Sequence, residues 1–192
     1  MHLQVNGTGK SYLSKHLVEI GLAQEHTGFA IPIKRLAYAL YCSNGSFNNK
    51  DLLSYEEFAQ GKKNEPIFYG GLSPRDLVCS YSDLIQQFYG SNIWGKTTYS
   101  SITIGSTVVI DDWRRYIESD YLKNQENVNV TTLYLDIEKT SDTVDNIPSK
   151  GSAHYEGEIK PEDCDLYFKY KSDYSNFNEL IQLITNHLNT LK

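Results

Sequence analysis

Met1-His2-Leu3-Gln4-Val5-Asn6-Gly7-Thr8-Gly9-Lys10-Ser11 opens the chain, and its reading decides the fold. A short apolar start over Met1 to Val5 gives way to alternating glycines, a lysine and a serine, after which Leu13, Leu17 and Ile20 recur on one helical face. Strand, glycine turn and helix are the context in which the pattern GxxxxGK[ST] cradles phosphate. Gly7 and Gly9 let backbone amides turn inward at the positive end of the helix that follows. Lys10 then reaches the β- and γ-phosphates of a nucleoside triphosphate, and the Ser11 hydroxyl ligates Mg²⁺. The residues expected to hold ATP are Asn6, Gly7, Thr8, Gly9, Lys10 and Ser11. The place of the pattern's first glycine is taken by Gln4, and only three residues precede it. At about 3.3 Å per residue that makes a short first strand.

Outward from this stretch, 192 residues suit one domain with a core large enough to need no disulfide or structural metal. Eighteen Lys+Arg against 24 Asp+Glu leave a net charge of -6, which disfavours a nucleic-acid or anionic-membrane partner. No apolar run approaches the ~20 residues that span a bilayer. A polar motif stands where a signal peptide would carry its apolar segment, so the chain is expected to remain in the cytoplasm. Cys42, Cys79 and Cys164 are too far apart for a zinc site and read as reduced thiols.

Strand and helix patterns alternate along the rest of the chain. Gly28 to Ile31 reads as a short strand, and Ile33, Leu36, Ala37 and Leu40 follow at helical spacing. Residues 43–71 are polar and rich in Asn-Gly punctuation, an irregular insertion in which only Ser54 to Gln60 has helical character. Ser73-Pro74-Arg75-Asp76 is a helix start, with Ser73 as cap, Pro74 in the first turn and Asp76 complementing the dipole. Leu77, Leu84, Ile85 and Phe88 give that helix its apolar face. Thr107 to Ile110 is a β-branched run of the kind buried on both faces of a parallel sheet. Val128 to Ile137 and Leu166 to Tyr170 are further strands, and Ser175 caps a closing helix through Leu180, Ile181, Ile184 and Leu188. The fold class that follows is α/β, three layers with a mostly parallel central sheet. Ligands of such sheets bind beyond the carboxyl ends of the strands.

The run from Thr107 ends in Asp111-Asp112-Trp113-Arg114, with Glu118 four residues on. Arg114 suits a bidentate grip on phosphate, and a neighbouring carboxylate suits its orientation or a water-mediated contact to Mg²⁺. Spacing does not separate Asp111 from Asp112 in the magnesium-side role. The assignment adopted sets Asp111 with Ser11 at the metal, and Asp112 with Lys10 and Arg114 in catalysis.

These segments, taken in order, resemble the deoxynucleoside monophosphate kinases of tailed bacteriophages and their P-loop kinase relatives. The resemblance rests on the phosphate loop, the Phe29 to Leu40 segment with its Pro32 and Lys34, and the SPRDLV segment with Trp94 downstream. It continues through the DxRxxxE pattern of Asp112, Arg114 and Glu118, the segment around His154 and Glu156, the strand at Asp165 and the C-terminal helix. It covers nearly the whole chain. It implies transfer of the ATP γ-phosphoryl group to a deoxynucleoside monophosphate with Mg²⁺, and a cytoplasmic location, the host's if the chain is phage-encoded. It also implies an acceptor site built from Lys34, Arg75, Asp112, Arg114 and Glu118, and a basic lid over 138–163. That lid carries lysines but no arginine, which leaves Arg115 as a candidate to share its role. The partners implied are small-molecule nucleotides, and a homodimer is left open. Two alternatives compete with this reading: a P-loop kinase acting on another acceptor, such as a modified base in phage DNA, and a nucleotide-binding module that has lost catalysis.

Overall fold

The computed structural model describes residues 2–4, 9–44, 52–68, 71–138, 159–171 and 173–191. Five strands form one sheet: β1 (His2–Gln4), β2 (Glu25–Thr27), β3 (Val108–Ile110), β4 (Thr132–Glu138) and β5 (Leu166–Lys171), in the spatial order β2-β3-β1-β4-β5. Every neighbouring pair is parallel, with His2 beside both Ile110 and Thr132 in register. Parallel strands need crossover connections. Among the described residues α1 (Lys10–Glu19), α2 (Ile31–Asn44), α3 (Pro74–Tyr89), α4 (Ile93–Ser101) and α5 (Tyr116–Lys123) lie in such connections, and α6 (Phe177–Thr190) follows β5.

The apolar interior falls into two clusters. Leu13 and Leu17 of α1, Leu180 and Ile184 of α6, Leu133 and Leu135 of β4 and Tyr170 of β5 make the first. Phe29, Ile33 of α2, Trp94 of α4, Trp113 of the turn after β3 and Leu122 of α5 belong to the second. Strand β3 divides between them, Val109 to the first and Ile110 to the second, because successive strand side chains point to opposite faces. An apolar β-branched strand serves both sides.

Several sequence expectations move. The second strand is Glu25–Thr27, three residues before the apolar Gly28 to Ile31, which instead forms the turn into α2. The fourth strand begins at Thr132, so Val128 to Thr131 lies outside it. Asn176, not Ser175, precedes α6, and its side chain bridges to β5 by accepting from the Lys171 N–H and donating to the Lys169 carbonyl. On α3 the Ser73 and Asp76 side chains make the reciprocal capping pair, as the SPRD start predicts. The apolar face of that helix keeps only part of the expected set, Ile85. Leu84 and Phe88 are exposed, and Val78, Tyr81 and Ile85 pack inward. Helix α4 was not anticipated at all. In the insertion, a π-helical turn over Glu57–Gly61 buries Phe58 against Tyr38 and Tyr41 of α2.

Among the described residues no helix is long and apolar enough to cross a membrane, and the three cysteines are free thiols.

Candidate functional site

Lys10 and Ser11 form the first turn of α1, which starts from Gly9 in the left-handed region at φ 72°. Glycine adopts that conformation without a Cβ penalty. Asn6, Gly7 and Thr8 lie outside the described residues, as do 139–158 of the lid expectation, including His154 and Glu156, and 45–51 and 69–70 of the insertion.

The two aspartates after β3 separate cleanly. The Asp112 carboxylate accepts from the backbone N–H of Phe29 at 2.7 Å and of Ala30 at 2.9 Å, one amide on each oxygen. It therefore anchors the turn that leads into α2. Burial pushes its carboxyl up, against the pull of those two amides and of Lys34. Asp111 turns the other way. His26 Nε2 lies 3.3 Å from Asp111 Oδ2, and Ser11 hydrogen-bonds the same carboxylate. Burial opposes ionisation of Asp111, but the bonds from His26 and Ser11 and the charge of Lys10 hold it below the usual carboxylate range. The pair assigned to the metal is thus brought together, and Asp112 becomes the residue that positions the neighbouring turn.

Gly28 makes that position possible. A Cβ added there would fall 2.5 Å from Asp112 Oδ2, closer than any real contact. Replacing Gly28 with alanine should displace the carboxylate, leave the Phe29 and Ala30 amides unpaired and lower folding stability by about 3 kcal/mol in urea unfolding. A loss under about 0.5 kcal/mol, the scale of an ordinary surface change, would show that the contact is not structural.

Arg114 and Arg115 sit in the turn between β3 and α5, and Glu118 organises them. Its Oε2 accepts from the N–H groups of Arg114 and Arg115, both at 3.2 Å, while Oε1 takes the Arg115 guanidinium at 3.1 and 3.2 Å. The carboxylate is nearly fully buried, and burial raises its pKa against the stabilising charge of Arg115. Glu118 also borders a cavity, with its oxygens engaged by this turn.

A cavity of about 190 Å³ lies between α2, α3, α4 and this turn. Its lining includes the cations Lys34, Lys63, Arg75 and Arg114, with Lys34, Arg75 and Arg114 in charge range of Lys63, and the apolar side chains of Phe29, Phe58, Val78 and Trp94. Three of the four cations were expected from sequence. Lys63, which was not, comes from the insertion and is held by its carbonyl, which accepts from the Arg75 N–H at 2.9 Å. Burial and the charges of Lys34, Arg75 and Arg114 lower its amine pKa. Lys10 adjoins the group: burial and Arg114 bring its pKa down to about 8, while Asp111 and Asp112 pull it back up. Lys10 and Lys63 are thus both lowered first by burial, with neighbouring cations adding to the effect.

No protein-family model matches the chain, and no curated protein matches it in sequence.

Proposed function

We propose that the protein is an ATP-dependent kinase that phosphorylates a deoxynucleoside monophosphate, on a three-layer α/β/α P-loop kinase fold. One observation carries this reading. The lysine and serine of the glycine turn and the cations of the acceptor cavity converge beyond β1 and β3, with Arg114 within charge range of both Lys10 and Lys63. The strand order and the all-parallel pairing support it too, because β1 lies between β3 and β4, where crossovers leave to opposite sides of the sheet. A partly open cavity of about 190 Å³ has no room for a duplex, which favours a small-molecule acceptor.

In this reading Lys10 lies along the β- and γ-phosphates, and its charge stabilises the group in transfer. Arg75, Lys34 and Lys63 hold the acceptor phosphate, and Arg114, between the two phosphate sites, keeps attacking oxygen and γ-phosphorus in line. The acceptor oxygen forms the new P–O bond as the bond to the ADP oxygen breaks. That nucleophile is already an anion, so no side chain has to remove a proton. Among the described residues no group of three or more His, Cys, Asp or Glu could hold a metal ion. Ser11 and Asp111 fit Mg²⁺ because they already share a hydrogen bond at the phosphate turn, a hydroxyl and a hard carboxylate oxygen. When bound there, Mg²⁺ would neutralise charge on the phosphate tail.

Incubation with ATP, Mg²⁺ and each of the four deoxynucleoside monophosphates should yield ADP and a deoxynucleoside diphosphate. ATP binding without turnover on any of them would reduce the protein to a binding module, and turnover on DNA alone would move the acceptor to a modified base.

The lowered Lys10 pKa gives a pH signature. Its folded value of about 8 lies below the ordinary 10.5, so between those values the unfolded chain binds more protons and folding stability rises with pH. Binding runs the other way: above about pH 8 the free protein loses the Lys10 charge. ATP affinity measured by calorimetry should therefore fall as pH rises through that value, and the fall should vanish in Lys10→Met. A flat profile in the wild type would remove Lys10 from the phosphate.

A further inference from the structure

Along α3 from Arg75, the cavity wall carries one polar group whose hydrogen-bonding role is fixed by its surroundings. Ser82 lies two turns beyond Arg75 on α3, about 10 Å along the axis. That is the reach from a 5′-phosphate to the outer edge of its base. Both residues line the cavity.

Two donors point at the Ser82 hydroxyl. Trp94 Nε1 donates to Ser82 Oγ at 2.8 Å and Gln86 Nε2 donates to it at 3.0 Å. Neither bond can run in reverse. An indole nitrogen only donates. The Gln86 amide is oriented by its other end, where Arg115 Nη1 donates to Oε1, and a guanidinium never accepts. Both acceptor positions of Ser82 Oγ are thus filled, its own proton remains, and among the described residues nothing accepts that proton. Donation into Oγ from two sides also polarises the hydroxyl and makes it a stronger donor.

We propose that Ser82 is a specificity-determining residue of the acceptor site, donating its hydroxyl proton to an acceptor atom on the nucleobase edge. The proposal rests on the kinase reading above and names how that site reads its base. The atoms that qualify are O6 of guanine, O4 of thymine, N1 of adenine and N3 of cytosine, each of which adjoins an N–H donor. Asp83, acceptor-only as a carboxylate, lines the same cavity and suits that adjoining donor. The chain of bonds continues beyond the base. From Arg115 it passes to Glu118, and Glu118 holds the Arg114 N–H at 3.2 Å. Base recognition at Ser82 is therefore joined to the turn that carries Arg114.

The test compares each natural deoxynucleotide with an analogue weakened at the acceptor atom: dGMP with 6-thio-dGMP, dTMP with 4-thio-dTMP, dAMP with 1-deaza-dAMP, dCMP with 3-deaza-dCMP. For every nucleotide the wild type accepts, kcat/KM should drop about tenfold in the analogue, the scale of one lost hydrogen bond in a desolvated site. In Ser82→Ala the natural and weakened substrates should become equal, and in Ser82→Thr, which keeps the hydroxyl, the tenfold gap should persist. Ser82→Cys, a weak donor that still accepts from Trp94, should narrow the gap and serves if the alanine variant does not fold. A gap that survives undiminished in Ser82→Ala and Ser82→Cys, or that is absent from the wild type, overturns the proposal. Failure of the kinase reading looks different: a folded wild type that turns over none of the four natural deoxynucleotides.

Discussion

Lys10→Ala should turn over about a thousandfold more slowly than the wild type, with a melting temperature no lower. The two halves of this result have one cause. Lys10 is held partly desolvated beside Arg114, an arrangement that lowers its amine pKa to about 8 and weakens its charged form in the free protein. Removing it relieves that repulsion, so no stability is lost with the charge. The transferring phosphoryl group, by contrast, gathers negative charge in the transition state where the amine would lie, and a fixed cation in a water-poor site acts most strongly there. The measurement is kcat at saturating ATP and acceptor, set beside a thermal melt. Turnover within a few-fold of wild type would take the phosphate role away from α1, whereas a sharply lowered melting point would show that the side chain serves the core.

Arg114→Ala should raise the acceptor's KM and lower kcat about a hundredfold, because a misplaced nucleophile loses rate as well as affinity. Arg114 is in charge range of both Lys10 and Lys63, which in the proposed kinase makes it the link between donor and acceptor phosphates. Arg114→Lys should recover little, since an ammonium lacks the planar fork that holds two oxygens at once. Steady-state kinetics with both substrates varied would decide the matter. A change confined to the KM for ATP would place Arg114 on the donor side alone.

Where local chemistry and global fold agree, the sequence was readable. The helix start at Gly9 and Lys10, the capped start at Ser73 and the β-branched run into Asp111 all announce themselves in a few residues; the first two stand where expected and the strand begins one residue late, at Val108. The polar edge strand Glu25–Thr27 was hidden because it has no apolar run, and the apolar residues just after it drew the eye. Helix α4, IWGKTTYSS, mixes threonine and serine with glycine and shows no clean 3.6-residue period; tertiary packing of Trp94 fixes it. Leu84 and Phe88 fit a helical apolar stripe, yet α3 turns its Val78, Tyr81 and Ile85 side to the core. Site residues followed the same division. Asp111 and Asp112 are adjacent and chemically identical, so only their partners past the end of β3, Ser11 for one and the Phe29 amide for the other, tell them apart. Lys63 belongs to a polar insertion without periodicity, and no pattern marks a lysine whose place depends on a backbone bond from Arg75.

The insertion contributes Lys63 to a cluster of like charges inside a chain whose overall balance is negative. Folded without a dianion, that corner of the molecule repels itself; with one, the same contacts attract. On the proposed kinase reading, occupancy governs lifetime as well as catalysis, since a bound nucleotide raises the free energy of every opening that a protease needs. On that reading a cell running short of nucleotides would clear this protein fastest at the moment it has least to phosphorylate.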